Sequence, residues 1–360
     1  MAIPPLGLVL ALAAAFVAGE GPRSSLKSDE ELRLFPALAV AAADGGWDVD
    51  LRVWVYEPEL GSWWRGLTLD GLRRALELPR AAEASAIFQE RARPFLVDNE
   101  RGKAIVVRVG GADHVLALTA PNGQSVTRLH LEAGALRGPS TPVSAVLREG
   151  DDRDYEGVIL RIDRGGLSVV SDIDDTIKIS DVRDKEALLA NTFLRPLAPV
   201  PGIAEVYRRW AARGATFHYV SASPWQLYDA LADFVAAEGL PAGSLHLKDF
   251  RWTDSTFWNL FQDPREYKLA AIEPLLAASP ERAFVLVGDS GEADPEAYGE
   301  LYRRHPAQIG GIWIRDVSGE DAGAARYEVA FAGVPEGRWA IFRDPAQLPP
   351  APPKPANSSH

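Results

Sequence analysis

From Gly166 onward, short apolar runs alternate with stretches of helical periodicity, and this alternation restricts the fold more than any other feature of the chain. "LSVVSD", "TFHYVSAS", "SLHLKDF", "RAFVLVGD" and "IGGIWIRD" read as strands. "GIAEVYRRWAARG", "PWQLYDALADFVAAEG", "REYKLAAIEPLLAASP" and "DPEAYGELYRRHP" read as the helices between them. A βαβα succession predicts an α/β fold, a doubly wound parallel sheet with helices on both faces. The strands are near-continuous apolar runs, as burial on both faces requires.

In an open sheet of this kind, reactive groups collect at the carboxyl ends of the strands. The first strand ends at Asp172, and Asp174 and Asp175 follow within three residues. The "TFHYV" strand ends at Ser221, and the "AFVLV" strand ends at Gly288–Asp289 with Asp294 five residues on. Lys268 opens the helix before that last strand, 21 residues ahead of Asp289. Acids this dense repel one another, so a cation that offsets them is expected at this edge. Ser223 competes with Ser221 as the hydroxyl at the site, and Lys248 in "LHLKDF" competes with Lys268.

The pattern hhhh-D-x-D-x-T, hhh-S, K, hhhh-G-D-x-x-x-x-D, at 172–176, 221, 268 and 288–294, resembles the haloacid-dehalogenase superfamily of phosphohydrolases. The strings "SDIDDTIK", "YVSASPWQLY" and "GDSGEADPEAY" resemble, more closely, the catalytic domain of the actin-patch-protein type of phosphatidate phosphatases, from about Gly166 to Asp316. The fold implied is a haloacid-dehalogenase-like Rossmannoid, taken over 166–335, preceded by a β-rich domain. The resemblance implies that Asp172 attacks phosphorus and Asp174 is the general acid/base. It implies that Ser221 and Lys268 hold phosphoryl oxygens. Mg²⁺ would be bound by Asp172, the backbone carbonyl of Asp174, Asp289 and Asp294. Thr176 would shape the loop; Lys178 and Ser223 are further substrate-binding candidates, and Asp175 is left between loop capping and a solvated position. The chemistry suits the residue types. A carboxylate nucleophile splits phosphate-ester hydrolysis into two steps, and Mg²⁺ favours a few carboxylates together with phosphate and water.

The implied function is a Mg²⁺-dependent phosphatase that converts phosphatidate to diacylglycerol and phosphate. The same motifs would serve a soluble phosphate ester, a phosphoprotein or a diphosphate lipid. A noncatalytic binding protein acting through its β-rich domain is the alternative from another class. Composition narrows the field further. The chain has 360 residues and a net charge of −12, against a nucleic-acid partner. It has no cysteine, which excludes thiol catalysis and disulfides. None of the six histidines stands in a metal-ligand spacing; His218 and His246 lie in predicted core strands. No Walker loop is present, and "YVSASP" is not a nucleophile elbow.

Ahead of this region, "WDVDLRVWVYEP", "KAIVVRVGG", "HVLALTAPNG" and "SVTRLHLEAGAL" alternate like half-buried strands. They predict a β-rich domain over 33–165, either a sandwich or a mixed sheet continuous with the strands beyond Gly166. "TLDGLRRALELP" and "EASAIFQERARPF" within it read as helices. Residues 1–19 carry an apolar run, Leu6–Ala18, that suits a signal-peptide core or a buried helix. Cleavage would place the protein outside the cytoplasm; otherwise it would be cytoplasmic and peripheral to the membrane. No further transmembrane segment is expected. The Pro-rich stretch 344–360 is expected to be disordered. The intervals Thr176–Ser221 and Ser221–Lys268 leave no room for a large cap, so an open site facing a phospholipid at a membrane surface is implied. "FRWTDSTFWNLF" (250–261) has five aromatics that would dock at an interface or pack internally. Oligomeric state is not legible.

Overall fold

The computed structural model describes residues 21–58, 68–249 and 264–353. The N-terminal region is one mixed sheet of nine strands. These are β1 (Glu31–Leu34), β2 (Ala37–Ala41), β3 (Trp47–Glu57), β4 (Asp98–Asn99), β5 (Val106–Val109), β6 (Ala112–Val115), β7 (Gln124–Leu131), β8 (Ser140–Ala145) and β9 (Glu156–Ile162). The order is β1-β3-β2-β9-β8-β5-β6, with β4 and β7 also on β3. The long strand β3 meets β1 and β2 along one edge and β7 along the other, so the strands hydrogen-bond as one sheet and not as the two of a sandwich. Period-two alternation sends Val49, Leu51, Val53 and Val55 to one buried face. Two short helices, α1 (Leu69–Ala75) and α2 (Ala86–Ala92), lie between β3 and β4 in sequence.

The second sheet is separate and wholly parallel. Its strands are β10 (Leu167–Asp172), β13 (Ala215–Pro224), β14 (Gly243–Lys248), β15 (Ala283–Asp289), β16 (Ile309–Arg315) and β17 (Trp339–Phe342). A small antiparallel pair, β11 (Lys178–Ile179) and β12 (Ala198–Pro199), stands apart. The helices are α3 (Lys185–Phe193), α4 (Ile203–Ala211), α5 (Tyr228–Ala237), α6 (Pro264–Ala278), α7 (Asp294–Arg304) and α8 (Ala325–Ala330). The order β14-β13-β10-β15-β16-β17 reads 3-2-1-4-5-6 in chain order, which puts the reversal point, where such sheets bind ligands, beside β10. Between Thr176 and Ser221 only the β11/β12 pair, α3 and α4 intervene, with no cap domain. β17 lies past residue 335, so the sheet is longer than the sequence implied. The Pro-rich stretch is ordered at its start: Leu348 is buried, and Trp210 Nε1 donates to Pro349 O at 2.9 Å. Both the 1–19 reading and the aromatic run 250–261 lie outside the described residues. No described helix is long and apolar enough to cross a membrane.

Successive residues of a parallel strand face opposite layers. Val169, Phe217, Tyr219 and Val285 enter a core shared with the N-terminal region through Phe35, Trp54, Leu72 and Phe88. Val170, Val220 and Leu286 enter a second core with α6, α7 and α8. The two regions are therefore joined by a common apolar layer.

A polar chain crosses the parallel sheet. Ser168 Oγ meets His218 Nε2 at 2.9 Å, His218 Nδ1 meets Ser244 Oγ at 2.9 Å, and Ser244 Oγ meets His246 Nε2 at 2.8 Å. Arg282 donates to Ser168 Oγ at 2.7 Å and to three carbonyls of the 163–167 connection. Burial, then the neighbouring His246 and Arg282, hold the His218 imidazolium well below its ordinary range. Burial and then Arg52 push His246 down to about 4. The unfolded chain takes up these protons near pH ~6.5, whereas the folded chain resists until lower pH. Below pH 6.5, stability should fall as pH falls, by about 1.4 kcal/mol per pH unit per imidazole. Denaturant titrations from pH 7 to 4 should give His218→Gln a shallower pH slope than the parent chain. Parallel slopes would mean that this imidazole titrates alike in both states.

Candidate active site

The nucleophile candidate ends β10. Asp172 is 1% exposed, and among the described residues neither carboxylate oxygen receives a hydrogen bond. Its nearest countercharge is Lys268 Nζ, 3.0 Å from Oδ1. Burial first, and then the acids Asp294, Asp289 and Glu292, push its pKa well above the carboxylate range despite Lys268.

The chain then turns tightly. Ile173 and Ile177 anchor the loop in the shared core, and Ile177 N and Lys178 N both donate to Ile173 O at 3.0 Å. Asp175 adopts φ +55°, a left-handed conformation that Asp tolerates better than most residues. Its carboxylate accepts from the backbone amides of Ser180, Asp181 and Val182 at 2.8, 3.0 and 2.7 Å. Asp175 is thus the loop-capping acid, one of its two expected positions. Its carbonyl accepts from Arg315 at 2.6 Å, which ties the loop to β16.

The Asp174 carboxylate sits apart from the other acids. Oδ1 contacts Lys178 Nζ at 2.6 Å and accepts from Ser180 Oγ at 2.7 Å; Oδ2 accepts from Ser221 Oγ at 2.8 Å. Burial raises its pKa, but Lys178 and the two serines outweigh burial and the net shift is downward. Lys178, read from sequence as a substrate contact, is 2% exposed and spent on Asp174 and Ser180. Ser221 also accepts from Ser223 N at 2.9 Å, and Ser223 Oγ is 3.5 Å from Asp174 Oδ2. Both serines therefore border Asp174. Thr176 is fully buried and its hydroxyl has no partner among the described residues.

The loop after β15 supplies the remaining acids. Gly288 is required there, because a Cβ would stand 2.2 Å from Asp294 Oδ2. Asp294 Oδ2 accepts from Asp289 N at 2.9 Å, and its Oδ1 accepts from Lys268. Asp289 Oδ1 accepts from Gly291 N and Glu292 N at 2.6 and 3.2 Å, while Oδ2 is buried with no partner among the described residues. Burial and Asp294 push Asp289 well up. Arg326 on α8 fixes the loop from outside, donating to Ser290 O at 2.5 Å and to Glu292 O. Lys268 is fully buried against Asp172, Asp294 and Glu292. Burial lowers its pKa, but these three acids outweigh that and hold it protonated. Glu292, 2.9 Å from Lys268 Nζ, was not singled out from sequence; its place inside the G-D-x-x-x-x-D spacing was the available signal.

Carboxylate oxygens of Asp172, Asp289 and Asp294 lie within 4.8 Å of one another. Three buried acids, two of them with an oxygen that has neither a hydrogen bond nor an ion pair among the described residues (Asp172 Oδ2 and Asp289 Oδ2), fit a hard cation that takes oxygen ligands. Asp174's carboxylate is not in this group. Lys248, the alternative lysine, lies on β14 in register with Pro224.

The model described as "Phosphatidate phosphatase APP1, catalytic domain" matches residues 167–316. An uncharacterized protein of Schizosaccharomyces pombe is 32% identical over 195 residues, 51% of this chain and 31% of its own length. The phosphatidate phosphatase APP1 of Saccharomyces cerevisiae is 33% identical over 154 residues, 42% of this chain and 26% of its own. The chain thus spans under a third of the length of these curated relatives. Among solved structures, a putative beta-phosphoglucomutase from Thermotoga maritima aligns over 49% of this chain and 94% of that one, at TM-score 0.30 and 12% identity. The stretch that matches the APP1 catalytic-domain family, residues 167–316, is the part of the chain that carries the parallel sheet from β10 to β16 and the acid cluster at its edge.

Proposed function

We propose that the chain is a Mg²⁺-dependent phosphatase that hydrolyses phosphatidate to diacylglycerol and phosphate through an aspartyl phosphate. The observation that carries this reading is Asp172: a buried carboxylate that accepts no hydrogen bond from the described residues, at the sheet's reversal point, ion-paired to one buried lysine and beside two further acids. Asp172, Asp289 and Asp294 would hold Mg²⁺, which neutralises anionic charge between nucleophile and phosphate when bound.

An oxygen of Asp172 attacks phosphorus, and the ester oxygen leaves with the electrons of the broken P–O bond. Lys268 stabilises the charge gathering on phosphoryl oxygen and orients Asp172. Asp174 supplies the leaving oxygen's proton. The free protein holds Asp174 ionised; a phosphate dianion beside it raises its pKa, as like charges do, so Asp174 gains its proton as substrate binds. In the second step Asp174 takes a proton from water, whose oxygen attacks phosphorus and releases Asp172. Ser221 and Ser223 set the position of Asp174. The lipid assignment draws on the family match, since the site residues handle phosphate and not the leaving group.

Full-length protein should release phosphate from phosphatidate in mixed micelles with Mg²⁺ and lose that activity in EDTA. Turnover confined to soluble esters such as glycerol 3-phosphate would overturn the lipid substrate and leave the mechanism. Absence of release from either class would overturn the enzyme itself.

A further inference from the structure

A cavity of about 340 Å³ opens between the N-terminal region and the segment 225–230 that leads into α5. No residue of the acid cluster lines it. Among the described residues its walls include Phe35, Trp54 and Tyr56 from the N-terminal region and Trp225, Leu227 and Tyr228 from the catalytic domain. Phe35 makes edge contacts with Trp225 and Tyr228, at centroid distances of 4.8 and 5.0 Å. We propose that this cavity takes one hydrocarbon chain of the substrate, which makes the N-terminal sheet part of the lipid-binding site. The inference rests on the lipid reading above.

Three observations carry it. First, the walls suit an uncharged chain. Pockets of this size are mostly apolar with few polar groups, and two arginines on the wall are already engaged. Arg33 pairs with Asp229 and lies over Tyr228, and Arg91 donates to the carbonyls of Thr192 and Arg195 at 2.6 and 2.9 Å. The other two charged wall residues, Arg93 and Glu90, are exposed, so their charges can stay in water while their stems line the wall. Second, Trp225 is 7% exposed and its Nε1 has no partner among the described residues. A buried donor without an acceptor is unfavourable, and the ester carbonyl at the head of an acyl chain is an acceptor. Third, the cavity adjoins the phosphate end. β13 carries Ser221 and Ser223 beside Asp174 and runs to Pro224, next to Trp225. At ~3.3 Å per residue, Trp225 lies within about 13 Å of Ser221, so an ester headed at Asp172 can lay its chain here.

The test uses full-length Asp172→Asn protein and a dibrominated-acyl glycerol 3-phosphate kept below its micelle concentration. Bromine against the wall should quench tryptophan fluorescence saturably. Each buried methylene is worth about fourfold in affinity, so shortening the chain by two carbons should weaken binding by about 15-fold while methylenes remain inside. Ala230→Phe, which fills the cavity from its wall, should weaken binding at least tenfold, and Val97→Trp, from the opposite wall, should do the same. In the active background these variants should lower kcat/KM for phosphatidate and leave glycerol 3-phosphate turnover unchanged. Saturable quenching without phosphate release from any ester would support the cavity and overturn the phosphatase reading. Quenching that ignores chain length, or that persists in a folded Ala230→Phe or Val97→Trp protein, would overturn the cavity and leave the phosphatase standing.

Discussion

Asp172→Asn should lower phosphate release by roughly 10⁴-fold or more, the scale on which loss of a covalent nucleophile acts. The fold should survive, and in EDTA its melting temperature should be no lower than the parent's. Asn matches Asp in size, and the site loses one of four acids gathered around one lysine. Mg²⁺ should distinguish the two proteins further. Ligand at about 100 times its dissociation constant adds about 2.7 kcal/mol to stability. The parent should gain that much with Mg²⁺, and the variant, short of one carboxylate oxygen, should gain less at the same concentration. Thermal melts with and without Mg²⁺ measure this apart from turnover. Retained turnover would remove Asp172 as nucleophile; an undiminished Mg²⁺ shift would remove it as a ligand.

The convergence of the candidate site residues was legible in sequence because they are strung on strand ends. Each of Asp172, Ser221 and Asp289 stands at or next to the end of an apolar run, and a doubly wound sheet brings such ends to one edge whatever the connections do. Side-chain pairing was not legible in the same way. Lys178 sits four residues from Asp174, and only the tight loop around Asp175, with its positive φ, folds that ammonium back onto the carboxylate. Glu292 had no periodic signal, since its place is set by the turn between Asp289 and Asp294. The N-terminal strands were visible, but whether they form one sheet or two depends on strand partners. That was decided by the length of β3, whose 11 residues take β1 and β2 end to end along one edge while β7 pairs along the other. The joint core through Phe35 and Trp225 was beyond sequence reading for the same reason: apolar periodicity says that a face is buried and not against what.

Lys268→Met should cost about 3–5 kcal/mol of stability at neutral pH without metal, as removal of one partner from a buried ion pair does. The ammonium is fully buried and contacts Asp172, Asp294 and Glu292. Methionine keeps most of the side-chain volume, so packing accounts for little of the loss. The deficit should depend on pH in a defined direction. Asp172, Asp289 and Glu292 have folded-state pKa values above the ordinary carboxylate range, burial being the largest cause. A group raised in this way is unpenalised below its unfolded pKa and destabilises as pH rises through the folded one. Without Lys268 the rise is steeper, so the difference from the parent should be largest at neutral pH and shrink near pH ~4, where carboxyls carry their protons. Mg²⁺ should return part of the stability, because a divalent cation offsets the same acids. It should not return turnover, because an ion held by Asp172, Asp289 and Asp294 does not replace an ammonium directed at a phosphoryl oxygen. Denaturant titrations at pH 4 and 7, with and without Mg²⁺, separate these effects. A deficit that is equal at both pH values would assign Lys268 to packing and leave the acids to be balanced by metal alone.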